Sequence, residues 1–158
     1  EGLPITSKYG WRIHPITGLD DFHGAIDISG LDINRPIYAT QSGVVIAKDF
    51  GESAGNFITI QHTNDPYYSR YLHLAEPATP NIGDSVSRCH EIGVMGTTGS
   101  STGIHLHFEI ATSPTGFGTE EGTIDPEVYL QMEFGGGGGN KWGEYEIILG
   151  RRFLPRRR

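Results

Sequence analysis

Residues 104–110, IHLHFEI, alternate between apolar and polar side chains. Period-two alternation marks a strand buried on one face only. It puts Leu106, Phe108 and Ile110 on one side and His105, His107 and Glu109 on the other. The pattern recurs upstream. In residues 23–29, HGAIDIS, His23, Ala25 and Asp27 share a face opposite Ile26 and Ile28. In residues 70–74, RYLHL, Tyr71 and His73 share a face opposite Leu72 and Leu74. Placed in one sheet, three such strands converge their imidazoles and one carboxylate on a single patch.

The rest of the chain suits the same architecture. Short strand-like segments over 35–50, 55–63, 67–74 and 81–103 are separated by Gly, Asn, Asp and Pro. That rhythm, with 23 glycines in 158 residues, predicts a mainly β fold rather than a helical bundle. Residues 1–22 read as an irregular approach. Residues 125–132, DPEVYLQM, form one short helix, with Asp125 to cap it and Pro126 suited to its first position. Residues 1–132 are expected to form one domain. Residues 133–158 hold five consecutive glycines, read as a flexible linker. Beyond them WGEYEIIL (142–149) is either an extra strand or the start of a further domain.

Composition excludes several classes. No apolar run approaches the roughly 20 residues of a membrane-spanning helix. The net charge is −7, and all 19 acidic residues precede Arg151, which argues against nucleic acid as a partner. The tail RRFLPRRR (151–158) is read as a disordered chain end rather than an electrostatic anchor. Cys89 is the only cysteine, so no internal disulfide or Cys-rich zinc site can form, and any zinc must use His and carboxylate ligands. The chain begins at Glu1 rather than Met, as expected of a processed form or an excised domain.

Catalytic zinc takes three protein ligands and keeps a fourth position for water, whose pKa it lowers to about 7. A hydrolase also needs groups that move protons. Seven histidines exceed what ligation alone requires. His14, before a proline in a loop, and His62, at a strand end, are read as structural, His90 as an exposed turn residue and Tyr38 as a packing residue.

These motifs resemble the lysostaphin/LytM-type zinc endopeptidases of the M23 peptidase family. The resemblance is carried by H-x-x-x-D at residues 23–27, Y-x-H-L at 71–74, TGSSTGIHLHFE at 98–109 and YGWRIHPITG at 9–18, and it spans about residues 5–131. It implies an antiparallel β-sheet core of two packed sheets, with loops forming a narrow groove over the metal. It also implies one Zn2+ per chain held by His23, Asp27 and His107. His105 would be the general base and His73 a second catalytic histidine. Arg12 and Asn56 are candidate substrate contacts. The implied activity is hydrolysis of peptide bonds in peptidoglycan, in its cross-bridges or stem peptides. The protein is then expected to be a monomer acting outside the cytoplasm: secreted, wall-associated, or the lytic domain of a phage protein. The alternative is an inactive peptidoglycan-binding or amidase-activating module of the same fold. The three-residue gap between His23 and Asp27 argues against a D-Ala-D-Ala carboxypeptidase-type zinc site, where that gap is wider. The chain departs from the family at Cys89-His90, where Gly-Gln is common, at Ile104, where Pro is common, and over 31–39, LDINRPIYA.

Overall fold

The computed structural model describes residues 5–29 and 34–134. Twelve strands and one helix are built from these residues, and every pairing between strands is antiparallel. The strands are β1 (Ile5–Ser7), β2 (Gly10–Ile13), β3 (Asp20–His23), β4 (Ile26–Ser29), β5 (Pro36–Tyr38), β6 (Gly43–Gly51), β7 (Gly55–His62), β8 (Tyr68–Leu74), β9 (Ser85–Val86), β10 (Glu91–Val94), β11 (His105–Ala111) and β12 (Thr123–Ile124). The helix is α1 (Pro126–Phe134). The main sheet runs β1-β4-β11-β8-β7-β6-β9, with β12 beside β11. Two-stranded sheets β5/β10 and β2/β3 complete the fold. No helix among the described residues is long and apolar enough to cross a membrane.

The apolar halves of the alternating strands make the core. Ile26 and Ile28 of β4, Leu106, Phe108 and Ile110 of β11, and Ile58 and Ile60 of β7 are all fully buried. They share one cluster with Ile37 of β5 and Ile92 of β10, so the small β5/β10 sheet is packed on the large one. Each such side chain contributes roughly 1.5–3 kcal/mol through burial.

The helix begins as its sequence indicates: Asp125 Oδ1 accepts the Glu127 amide at 2.9 Å. It docks through Tyr129, whose hydroxyl donates to Asp65 Oδ2 at 2.7 Å. Asp65 Oδ1 also meets His62 Nδ1 at 2.9 Å, and His62 Nε2 meets Ser69 Oγ at 2.9 Å. Ser69 is fully buried, so this Ser-His-Asp chain braces the helix and has no surface from which to meet a substrate. His14 has a local role too, its Nδ1 accepting the amides of Ile16 and Thr17 at 3.2 Å each.

Three expectations are corrected. The irregular approach expected over residues 1–22 is, where described, regular: residues 5–23 supply β1 and the β2/β3 hairpin. That hairpin is tied to the main body by Tyr9, whose hydroxyl donates to the Thr123 carbonyl at 3.1 Å, and by Trp11 Nε1, which donates to Glu120 Oε2 at 3.1 Å. Residues 23–29 are not one strand. The chain breaks at Gly24, where a Cβ would sit 3.2 Å from the Gly118 backbone, and passes from β3 into β4. Tyr71 and His73 do not share a face. Tyr71 opposes Phe108 and is fully buried in the core, while Leu72 opposes His107. His73 has φ 61°, and the β7–β8 register slips between Asn56 and Ile58. One residue in the left-handed region resets the alternation, as a bulge does. Residues 135–158, with the glycine run and the strand-like segment after it, lie outside the described residues.

Candidate metal centre

Three of the candidate side chains form a compact donor set. One atom from each of His23, Asp27 and His107 lies within 4.8 Å of the others. Asp27 in β4 directly opposes His107 in β11, so their side chains share the polar face of the sheet. His23 comes from the separate β2/β3 hairpin and is delivered by the break at Gly24. His23 Nε2 lies 3.4 Å from Asp27 Oδ2, and His107 Nδ1 lies 3.0 Å from Asp27 Oδ1.

The tautomer of each histidine follows from its neighbours. His23 Nδ1 donates to the Lys8 carbonyl at 2.9 Å, which leaves the Nε2 lone pair facing Asp27. His107 Nε2 donates to Glu109 Oε1 at 2.8 Å, which leaves Nδ1 for a metal. A carboxylate on the far nitrogen of a ligating imidazole fixes the ring's orientation and raises its basicity. Glu109 is buried, its Oε2 has no hydrogen-bond partner among the described residues, and Arg70 faces it across the β8–β11 pairing. The Arg70 guanidinium lies over the rings of Phe57 and Phe117, at 4.5 and 5.1 Å. The alternation of 104–110 places Glu109 on the histidine face. Its orienting role is the part sequence reasoning missed, and its position two residues past His107 on the same face was the available signal.

His73 and His105 stand beside the donor set. Their rings are 4.7 Å apart, and the His73 ring is 5.8 Å from that of His107. His73 Nδ1 donates to the Thr98 carbonyl at 2.8 Å, and His105 Nδ1 donates to the Gly103 carbonyl at 2.8 Å. Each therefore keeps an unprotonated Nε2 in its neutral form. The loop that carries Thr98 packs tightly on the start of β7. A Cβ on Gly55, at φ +64°, would meet Thr98 Oγ1 at 2.3 Å, so only glycine fits there.

The electrostatics sort the groups by task. Burial alone would raise the Asp27 pKa, but hydrogen bonds from His107 and His23 prevail and hold it well below the usual carboxylate range. Burial alone would lower His107, but its hydrogen bonds to Asp27 and Glu109 push it up to about 9. Burial brings His73 down to about 4, only partly opposed by its hydrogen bond to Thr98, so at neutral pH it is an uncharged imidazole.

Two imidazole nitrogens and one carboxylate are the donor chemistry of a catalytic zinc site. A tetrahedral zinc with ligands at about 2.0–2.1 Å needs donors roughly 3.4 Å apart. The histidine nitrogens lie 3.0 and 3.4 Å from the two different Asp27 oxygens, and one donor atom from each residue lies within 4.8 Å of the others, so the donor set is of the kind and size that zinc takes.

The two candidate substrate contacts fall in different places. Arg12 lines a pocket of about 410 Å³ together with Ser7, Asp27, Ser29, Thr102 and His105. Its Nε donates to Asp21 Oδ2 at 3.2 Å and its Nη1 to Ser7 Oγ. Asn56 is not among the residues lining that pocket. Its amide nitrogen Nδ2 donates to the Leu74 carbonyl at 3.3 Å, beside the bulge that presents His73. His90 is exposed, and Tyr38 is half-buried in β5.

The model of Peptidase family M23 matches residues 21–126. An uncharacterized metalloprotease of Buchnera aphidicola is 42% identical over 107 residues, covering 67% of this chain and 28% of that protein. The peptidoglycan DD-endopeptidase ShyA of Vibrio cholerae is 40% identical over 116 residues, covering 68% of this chain and 26% of that protein. The chain thus spans about a quarter of the length of these curated relatives. Among solved structures, the catalytic domain of the antimicrobial peptidase lysostaphin from Staphylococcus simulans superposes with a TM-score of 0.68 at 28% identity, covering 79% of this chain and 90% of that one.

Proposed function

This chain belongs to peptidase family M23, and from that membership we propose that it is a zinc-dependent endopeptidase hydrolysing peptide bonds of bacterial peptidoglycan. The observation that carries the reading is the convergence of ring nitrogens. His23 Nε2 and His107 Nδ1 both meet Asp27, and the far nitrogen of each is held by another acceptor, so both can turn a lone pair to a metal once the His107 proton leaves; His73 and His105 keep Nε2 beside that trio. His23, Asp27 and His107 hold one zinc ion. Once bound, zinc supplies a Lewis acid that polarises the scissile carbonyl and makes water a nucleophile at neutral pH.

The remaining chemistry belongs to the chain. His105 Nε2 accepts the proton of the attacking water, and its Nδ1–H bond to the Gly103 carbonyl stabilises the imidazolium that results. General-base assistance of this kind is worth roughly 10²–10⁴ in rate. His73, neutral beside it with its proton on Nδ1, accepts at Nε2, and it donates there to the substrate oxygen or leaving nitrogen only after taking up the proton that His105 has accepted. Glu109, by taking the Nε2–H of His107, would leave Nδ1 as the ring nitrogen available to the ion. Arg12 and Asn56 contact substrate, Arg12 from the pocket and Asn56 from the start of β7.

The relatives named as DD-endopeptidases favour a stem-peptide cross-link as substrate, and the protein would act on the outer side of the membrane, as a wall-remodelling enzyme or phage lysin. Residues 1–132 form the catalytic unit, working as a monomer. The alternative, an inactive binding or amidase-activating module, is disfavoured because the chain keeps all three ligands and both further histidines.

The test is release of soluble peptides from purified cell walls by the zinc-loaded chain, with and without chelator. His107→Ala should lose zinc, whereas His105→Ala should keep zinc and lose activity. Equal zinc loss in both variants refutes the ligand assignment. If no wall type yields a metal-dependent product, the binding-module reading replaces this one.

A further inference from the structure

The pocket beside the donor set has a pronounced charge feature. Arg12 is the only Lys or Arg among its lining residues. It sits in β2 opposite Asp21, two positions from Gly10, which opposes His23. The face of the hairpin that carries the guanidinium is therefore the face that carries a metal ligand. The link is direct: Arg12 Nη1 donates to Ser7 Oγ, and Ser7 Oγ lies 3.5 Å from His23 Nδ1. Asp21 takes Nε, so two sides of the guanidinium are braced. Its Nη2 has no hydrogen-bond partner among the described residues. An arginine has five N–H donors in a rigid fork suited to carboxylates, and one end of this fork is held while the other is left over beside the groove.

We infer that Arg12 is a specificity-determining residue that reads a free carboxylate on the carbon bearing the scissile nitrogen. The inference rests on the endopeptidase reading for the identity of the bond. The chemistry narrows the substrate. A cross-link made through the D-centre of diaminopimelate carries such a carboxylate, and so does a C-terminal D-alanine. A glycine bridge continues as an amide, and a lysine side chain bears no carboxylate beside its nitrogen. The pocket therefore favours the first two classes and disfavours the last two.

The experiment compares matched substrates with the full chain loaded with zinc. One pair is a diaminopimelate cross-linked peptide dimer and the same dimer amidated at the D-centre carboxylate. The other is a stem peptide ending in D-Ala-D-Ala and its C-terminal amide. Hydrogen bonds to a charged group lead us to expect a preference for the free carboxylate on the order of tenfold in kcat/KM. Arg12→Ala should bring the ratio close to one, and Arg12→Lys should retain part of it. A preference in only one pair identifies the source of the carboxylate. The inference is overturned if wild type shows no preference in either pair. It is equally overturned if Arg12→Ala lowers both rates together and leaves the ratio unchanged, as a purely bracing residue would. Calorimetric binding of each pair to zinc-loaded His105→Ala reads the same preference without turnover. Binding preference without cleavage by wild type sinks the endopeptidase reading alone, whereas cleavage without preference sinks this one alone.

Discussion

Replacing Glu109 by alanine sets two effects of known sign against each other, and pH decides between them. Glu109 Oε1 holds His107 Nε2 at 2.8 Å inside a buried site. Losing a partner that orients a ligating histidine weakens metal binding by roughly 10–100-fold. The same carboxylate also helps raise His107 to about 9, so without metal this ring is protonated near neutral pH. Zinc must displace that proton, which at about pH 7 lowers apparent affinity by about a hundredfold for a group titrating two units higher. Glu109→Ala removes part of this competition, and each unit by which the His107 pKa falls returns about tenfold. Near neutral pH the gain offsets part of the loss, so the variant's deficit in zinc binding should be smaller there than at high pH. At about pH 10 the proton has left both proteins, only the lost orientation remains, and the variant should be 10–100-fold weaker. Glu109→Gln keeps an acceptor and drops the charge, so it should bind zinc better than Glu109→Ala near neutral pH. Chelator competition with buffered zinc across this range measures all three curves. Parallel curves for Glu109→Ala and wild type, or a deficit that shrinks as pH rises, refute the reasoning.

Two further outcomes can be measured directly. Gly55→Ala drives a Cβ into Thr98 from a left-handed backbone position, and Thr98 is the acceptor that holds His73. It should lower stability by about 1–3 kcal/mol in denaturant unfolding and reduce turnover more than zinc content, since the donor set is elsewhere. In the metal-free protein His107 titrates higher folded than unfolded, so its stabilisation is complete below the unfolded value near 6.5 and is lost as pH rises through about 9. Asp27 is depressed, so its contribution is present above about 3.9 and is lost as pH falls below that. Urea midpoints of the metal-free protein should therefore fall on both sides of a maximum between these limits, with the alkaline loss up to about 3 kcal/mol. An unchanged midpoint between about pH 6.5 and pH 10 contradicts the His107 assignment.

The site was more legible than the chain path that builds it. His105, His107 and Glu109 could be put on one face because alternation in a regular strand is a strict geometric rule, and β11 keeps it. His73 came to the right patch for the wrong reason. Tyr71 shares its parity in the sequence but lies in the core, because the left-handed backbone at His73 shifts the count by one. Nothing in RYLHL signals that angle, which is imposed by the Ala54 carbonyl accepting the His73 amide and by Thr98 taking its ring. The break between β3 and β4 was hidden likewise. HGAIDIS alternates well enough to read as one strand, and only the close approach of Gly24 to Gly118, distant in sequence, explains the turn. The β2/β3 hairpin escaped notice because its outer side chains, Trp11, Ile13, Ile16 and Leu19, are exposed and give no buried-face pattern.

The partition of the candidate ligands between two sheets has a mechanical consequence. His23 rides on the hairpin, while Asp27 and His107 belong to the main sheet. An ion gripped by all three would be a rivet across a seam that protein contacts close through Tyr9, Trp11 and the Arg12–Ser7 hydrogen bond. Arg12 is on the riveted piece, so the mouth of the groove and the reactive centre are set by one fastening. If zinc is held there as proposed, stripping it would loosen recognition and chemistry together, and loading it would align both in a single event.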